Sequence, residues 1–363
     1  MTVVHLIDGL SRGNFGIVEA AVGSSTVLRE SHGMDSEIWF PAPAEDLEMP
    51  NFAVAKPIHL ESVSTRQSWK QIASSGLVPE ETVIVSHGSW RFPTRWGAAL
   101  RKGGFPWIYV PHGMLEPWSM REKRIRKSLF FPIEKLRASR ASKVRATSTP
   151  ERKNLEVFFR SVVQISHGVN LSQQTVRTEQ SSLKVVLFMG RFHPKKGVVP
   201  LVEAWMKSDL WRREDFELRL VGFDDGELGN LESLLGLRSS GNIQLLEPIY
   251  GVEKDRLLGE CTYFVLPSHS EGFPVAVLDT MKEGLIPILS DGCNLPEAFD
   301  ENVALRVEPI TESIRGTLNQ LATISGEESL ALSRAGSRFL SKHFGMEAVA
   351  KRQADLYRSV LSS

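Results

Sequence analysis

The sequence predicts an α/β protein built on parallel sheets, and three observations carry that expectation. Short apolar runs rich in Val and Ile recur along the 363 residues, helical patterns separate them, and each run is followed by a loop. Strands covered on both faces by helices leave this signature. In chain order the runs are VVHLID at the start, TVIVSHG near 85, WIYVPHG near 110 and KVRATS near 145, then VVLFMG, ELRLVG, IQLLEP, YFVLP and IPILSDG after 180. In an open parallel sheet a ligand sits beyond the carboxyl ends of the strands, so the loops after these runs are where function is sought.

A length of 363 residues argues for two domains. Hydrophobic residues at 42% and charged residues at 24% are ordinary globular values, which excludes disorder, collagen, coiled coil and a disulfide scaffold. The polar stretch VNLSQQTVRTEQSSL, Val169 to Leu183, reads as the interdomain connection, which gives domains 1–168 and 169–344. The final helical pattern, GMEAVAKRQADLYRSVL, places Val349, Leu356 and Val360 on one face, so 345–363 is expected to pack back on the first domain. Lys plus Arg and Asp plus Glu both number 43, so no global pull toward nucleic acid exists. The charge is nonetheless divided, with 23 basic and 17 acidic residues up to Ser182 and 20 and 26 beyond it. Cys261 and Cys293 lie in no CxxC or Cys/His cluster and read as reduced thiols of a cytoplasmic protein. The N-terminus has neither a charged n-region nor a long apolar stretch, and no apolar run reaches the ~18 residues of a membrane span.

Two loops carry the strongest chemical signals. GRFHPKKG, Gly190 to Gly197, follows the strand VVLFM and precedes a helical run. Its Arg191 and Lys196 suit neighbouring phosphate oxygens, one as a fork and one as a point charge, with a helix N-terminus behind them; two solvated surface cations are the alternative. SHSEGFPVAVLDTMKEG, Ser268 to Gly284, follows YFVLP and opens another helix. Gly272 lets a ligand approach the backbone, and the amides near Phe273 and Val275 point toward a phosphate, Pro274 having none to give. Asp279 stands eight residues after Glu271, about two helical turns and so on the same side. Two such carboxylates suit hydroxyls on two sugars of one donor, the cations holding the diphosphate between them. For Glu271 the plainer reading is an acid placed by the helix dipole.

GRFHPKKG and SEGFPVAVLD, about 80 residues apart, resemble the two donor-binding signatures of retaining glycosyltransferases of family 4. SHGSW at 86–90 and VPHGMLEPW at 110–118 resemble N-terminal-domain motifs of the bacterial exopolysaccharide members, so the similarity spans most of the chain. The resemblance implies the GT-B fold: two Rossmann-like domains with parallel sheets facing a central cleft, the first binding acceptor and the second nucleotide sugar. It implies that Arg191 and Lys196 neutralise the departing nucleotide diphosphate. Glu271 would contact hydroxyls of the transferred sugar, with Gly272, Phe273, Pro274 and Val275 near its phosphate. The acid that holds the ribose is a glutamate in the family and Asp279 here, one methylene shorter.

His112, at the end of WIYV, resembles the histidine that faces the transferred sugar; the plainer reading is a histidine satisfying loop backbone. His87 in VSHGSW is an acceptor-side candidate, and His5 reads as core. In LSRGNFG, Gly13 and Gly16 open the turn that approaches the donor phosphate in this fold, a weak signal alone. FDDGE, 223–227, has adjacent acids and no third ligand, so no metal is expected and no cofactor beyond the donor itself.

From Arg121 to Arg145 there are ten basic and two acidic residues, interleaved with Leu129, Phe130, Phe131, Ile133 and Leu136. The segment 120–145 reads either as a basic amphipathic element resting on anionic lipid or as a helix whose apolar side enters the core. The first reading implies a peripheral enzyme on the inner face of the plasma membrane and a lipid-linked acceptor. The resemblance implies retention at the anomeric carbon in polysaccharide or glycoconjugate synthesis, and since no nucleophilic carboxylate is evident for a double displacement, same-face attack is expected. The rival readings are a sugar-nucleotide epimerase, a phosphorylase, and a catalytically silent sugar-nucleotide-binding subunit.

Overall fold

The computed structural model describes the chain apart from residues 12–13, 42–52, 122–123, 173, 176, 180, 237–240 and 363. It divides into two compact units, Met1–Gly168 with Met346–Ser363, and Val169–Gly345.

The first unit holds β1 (Thr2–Leu6), β2 (Asp35–Pro41), β3 (Ala55–Leu60), β4 (Thr82–His87), β5 (Trp107–Val110), β6 (Lys143–Ala146) and β7 (Val162–Gln164). They form one parallel sheet in the order β3-β2-β1-β4-β5-β6-β7. The continuously apolar strands stand in the middle: β4 and β5 are buried at every residue. β3, AKPIHL, is at the edge, where its Lys56 and Pro57 are tolerated because one side needs no ladder. One sheet face is covered by a core containing Trp39, Phe92, Trp96, Trp107 and Tyr109. On the other, Val3, Val83, Val85, Ile108 and Val110 pack with Val349, Ala350, Ala354, Leu356 and Val360. Those five belong to the helix Met346–Leu361, so the end of the chain closes a face of the sheet formed by its beginning.

The second unit holds β8 (Lys184–Met189), β9 (Phe216–Val221), β10 (Ile243–Leu246), β11 (Tyr263–Leu266), β12 (Ile286–Leu289) and β13 (Leu305–Arg306). Their order is β10-β9-β8-β11-β12-β13, again all parallel. The polar stretch after Val169, expected to be a connection, is bonded along this unit. Val169 N–H donates to the Phe344 carbonyl at 2.8 Å, Gln174 Nε2 to the Ser337 carbonyl at 3.1 Å, and Arg177 to the carbonyls of Glu283 and Leu258 at 3.2 and 3.1 Å. Gln174 and Arg177 thereby satisfy backbone carbonyls of this unit from outside.

In both sheets the strand order reverses at the central pair, β1/β4 and β8/β11. Loops diverge there to opposite faces and leave a crevice at the carboxyl edge. Leu10, Ser11 and Asn14 follow β1 and SHGSW closes β4 at the first switch point; GRFHPKKG and SHSEGFP follow β8 and β11 at the second.

Candidate functional site

In the second unit the two signature loops leave hydrogen-bonded neighbours, β8 and β11. A 3-10 turn, Pro194–Lys196, is capped by His193 Nδ1, which accepts from Lys195 N–H at 3.0 Å. The Lys195 carbonyl accepts from the His269 N–H at 2.8 Å, tying one loop to the other. Gly197 ends the turn with φ 67°, and a Cβ there would lie 2.3 Å from the Pro267 carbonyl oxygen. Gly197→Ala combines left-handed strain with a backbone collision, and lowers stability by at least about 2 kcal/mol in urea unfolding of the full chain.

This tie sets Lys196 against Glu271. Lys196 Nζ donates to Glu271 Oε1 at 2.7 Å, and Ser268 Oγ donates to the same oxygen at 2.5 Å. The two charged side chains are only 16% and 12% exposed, so the pair is weakly screened. The Glu271 backbone is held on both sides: its N–H donates to the Gly292 carbonyl at 2.6 Å, and its carbonyl accepts from Asn294 Nδ2 at 2.6 Å. Burial pushes the Glu271 carboxyl up, but the Lys196 charge and the hydrogen bonds from Lys196 and Ser268 outweigh it and hold it below the ordinary value. Glu271 is a carboxylate at neutral pH. It lies outside the helix Val275–Lys282, so the dipole reading does not describe it.

The other expected groups have partners of their own. Arg191 Nη1 donates to Asp225 Oδ2 at 2.5 Å. Asp225 belongs to FDDGE, whose loop runs beside GRFHPKKG because β8 and β9 are neighbours; the N–H groups of Asp225 and Glu227 both donate to the Phe192 carbonyl. Asp224 turns the loop, accepting from the N–H groups of Gly226 and Leu228 at 2.9 and 3.0 Å. Asp279 Oδ2 accepts from Lys254 Nζ at 2.8 Å. The expected two-turn alignment of Glu271 with Asp279 fails, because only Val275 onward is helical. The run Gly272–Val275 is also not an open row of amides, since Val275 N–H donates to the Phe273 carbonyl at 3.0 Å. The structure thus joins Lys196 to Glu271 and leaves Arg191 and Asp279 in separate ion pairs. Ser268, Gly292, Asn294, Asp225 and Lys254 were not singled out from sequence as site residues.

In the first unit His112 follows β5 with φ 53°, a left-handed conformation that costs a non-glycine residue on the order of 1–3 kcal/mol. Buried Glu151 offsets that strain: Oε1 accepts from Gly113 N–H at 2.6 Å, and Oε2 from the N–H and Oγ1 of Thr147 at 2.7 and 2.6 Å. Glu151 carries no motif signal, only its place at the start of a helix. His112 Nε2 lies 2.8 Å from His87 Nδ1, and His87 Nε2 lies 3.0 Å from His5 Nδ1. His167 stacks on His112 with centroids 5.7 Å apart and planes at 12°. His87 is 1% exposed with both ring nitrogens engaged, which corrects its expected acceptor-side position: it backs His112. Burial, then the charge of Arg145, pushes His5 and His112 down to about 3. Burial pushes His87 and His167 down as well, so the imidazoles are neutral at pH 7. Gly13 lies outside the described residues. Gly16 is exposed at the start of the helix Phe15–Val22, and a Cβ there would meet nothing within 4 Å.

The basic segment contains the helix Arg124–Ala138, and of its apolar side chains only Phe131 and Ala138 meet the core. Ile125 is 88% exposed, Leu129 70% and Leu136 63%, with Phe130 and Ile133 also exposed. The helix faces its own unit through Glu134, Ala138 and Phe131 instead. Phe131 packs on Phe158 with centroids 4.9 Å apart, and Glu134 Oε1 accepts from Trp90 N–H at 2.9 Å. Among the described residues no helix is long and apolar enough to cross a membrane.

Residues 172–336 match the family model described as "Glycosyl transferases group 1". An uncharacterized glycosyltransferase of Methanocaldococcus jannaschii is 26% identical over 272 residues, 71% of this chain and 72% of that protein. The GDP-mannose:cellobiosyl-diphosphopolyprenol alpha-mannosyltransferase of Xanthomonas campestris is 26% identical over 129 residues, 35% of this chain and 34% of that enzyme. The solved structure of Anabaena Alr3699/HepE in complex with UDP has a TM-score of 0.77 at 16% identity, over 99% of this chain and all of that one. Residues 172–336, which hold both signature loops, thus match the glycosyl transferases group 1 model, on a chain with the two-sheet GT-B-type fold of its structural neighbours.

Proposed function

We propose that the chain moves a sugar from a nucleoside-diphosphate sugar to a lipid-linked saccharide, with retention at the anomeric carbon and without a metal ion. The observation that carries this reading is the buried Lys196–Glu271 pair at the second switch point, inside the segment that matches the group 1 family. An ammonium has three donors and Glu271 takes one, which leaves two for a phosphate oxygen. Glu271 Oε2 remains for a sugar hydroxyl. Arg191, 42% exposed, exchanges Asp225 for the diphosphate.

In this reaction the bond from the anomeric carbon to the phosphate oxygen breaks, and the acceptor oxygen bonds to the same face of that carbon. The acceptor's proton passes to the leaving phosphate, whose growing charge Lys196 and Arg191 neutralise. His112, neutral and held in a strained turn, hydrogen-bonds the transferred sugar. A panel of nucleotide sugars, screened for a raised melting temperature and then for transfer to lipid-linked saccharides, tests the reading. One donor is expected to stabilise the protein, by about 2.7 kcal/mol at a hundredfold excess over Kd, and to yield a product of unchanged anomeric configuration. Stabilisation without turnover identifies a silent binding subunit, and an inverted product removes the retaining mechanism.

The lipid-linked acceptor rests on the helix Arg124–Ala138. At ~100° per residue, Ile125, Leu129, Ile133 and Leu136 share an arc of about 80° opposite Glu134 and Phe131. Arg124 and Lys135 border that arc on one side, Arg126 and Arg137 on the other. An apolar stripe between cations fits the headgroup boundary of an anionic bilayer. The protein is expected to float with vesicles containing anionic lipid, less so as salt rises, and not with zwitterionic vesicles. Leu129→Ser with Ile133→Ser abolishes flotation; binding that ignores both lipid charge and salt sinks the assignment.

A further inference from the structure

We propose that His5 and His87 are positioning residues that fix the tautomer of His112, so that His112 presents an Nδ1–H donor to the transferred sugar. The inference rests on the reading above that His112 faces that sugar, and it deepens that reading. Its basis is a file of three rings joined by two N···N contacts, His5 Nδ1 to His87 Nε2 at 3.0 Å and His87 Nδ1 to His112 Nε2 at 2.8 Å.

A neutral imidazole carries one N–H and one bare nitrogen. Two hydrogen bonds through the shared middle ring therefore admit only two proton arrangements. In the first, His5 Nδ1–H donates to His87 Nε2, His87 Nδ1–H donates to His112 Nε2, and the His112 proton sits on Nδ1. In the second every bond reverses, and His112 offers a bare Nδ1. The choice is made at the deep end. His5 is 2% exposed, and its Nε2 is buried without a hydrogen-bonding partner among the described residues. The first arrangement leaves a bare nitrogen there; the second strands an N–H, and orphaned buried N–H groups are the rarer and costlier defect.

A charged imidazolium would break this logic by donating from both nitrogens. Arg145 prevents it. Its guanidinium is 1% exposed, bound to the carbonyls of Ile165 and Ser166 at 2.9 and 3.1 Å, and its charge opposes protonation of His5, His87, His112 and His167. His112, partly exposed, ends the file, with Nδ1 as its remaining nitrogen. That nitrogen carries a donor, suited to a sugar oxygen rather than to a hydroxyl proton. His87 thus acts through His112 without touching substrate.

Long-range 1H–15N spectra of the full-length protein labelled with 15N-histidine read each tautomer directly at pH 7. His112 is expected in the Nδ1–H form in the wild type. His87→Phe removes the donor to His112 Nε2 and shifts His112 toward the Nε2–H form that free neutral histidine prefers. His87→Asn puts an amide N–H near the former Nδ1 and restores the Nδ1–H form. With the donor found above, kcat is expected to fall about tenfold in His87→Phe and to recover within about threefold in His87→Asn, at similar KM. A wild-type His112 in the Nε2–H form overturns the proposal and needs no variant to fold. A correct tautomer pattern with unchanged kinetics upholds the relay and removes His112 from the sugar site.

Discussion

Replacing Lys196 with alanine lowers kcat/KM for sugar transfer by at least about a thousandfold, ~4 kcal/mol of transition-state stabilisation. Two losses add. The ammonium that meets the leaving phosphate is gone, and Glu271 is left 12% exposed without the charge that holds it ionised. Removing one partner of a buried pair costs about 3–5 kcal/mol unless the survivor is neutralised. With Lys196 gone, burial pushes the Glu271 carboxyl up, and its ability to accept from sugar hydroxyls falls as its charge is lost. The double variant Lys196→Met, Glu271→Gln separates the two: it is expected to regain stability in urea but not activity. Transfer within tenfold of wild type in Lys196→Ala means that the reacting phosphate lies elsewhere. Arg191→Ala is expected to cost less, because that side chain is 42% exposed and its field is screened.

The same contrast between buried and exposed explains what was readable in the sequence. TVIVSH, WIYV and YFVL announce themselves because a strand covered on both faces must be apolar throughout. β2, DSEIWFP, opens on charge, and β3, AKPIHL, is an edge strand with Lys and Pro; neither carries the pattern, and β13 is only two residues long. The signature loops were visible because a glycine that must turn or yield space stands beside charge. Gly197 is such a residue, whereas Gly16 shows no steric need.

Partnerships between loops were not visible, because they depend on which strands are neighbours. Arg191 meets Asp225 through the adjacency of β8 and β9, and Lys254 meets Asp279 across two helices. In FDDGE, Asp225 stands as one of two adjacent acids, and its pairing with Arg191 follows only from sheet adjacency. The histidine file has the same origin. In the register of β1 on β4, His5 pairs with Val85, and His87 lies two residues on, pointing to the same face. Nothing in VVHLID or VSHGSW alone suggests that the rings touch. The strand order, once assumed, predicts it.

Those histidines make the first unit acid-labile. His5 and His112 titrate near 6.5 when unfolded and at about 3 when folded. Between those limits the unfolded chain binds protons that the native chain refuses. Stability is therefore full above pH 6.5 and falls as pH drops, approaching about 1.4 kcal/mol per pH unit for each histidine. His87 and His167 are shifted in the same direction and steepen the slope. Buried Glu151, pushed up, opposes it, since the native state there takes up its proton first. In the second unit, Glu271 is held down and gives stability that is lost only at and below ordinary carboxylate pH, while partly buried His269 adds one weaker histidine shift. Urea unfolding of the full chain at pH 7, 6 and 5 is expected to show the first unit, reported by buried Trp39, Trp96 and Trp107, weakening steeply while the second, reported by Trp205, changes little. The aromatic variant His167→Phe keeps the stacking on His112 but removes one titrating ring, so it should flatten the slope. A first-unit transition that stays level from pH 7 to 5 would mean that the rings titrate as they do in water, and with that the neutral file behind His112 falls.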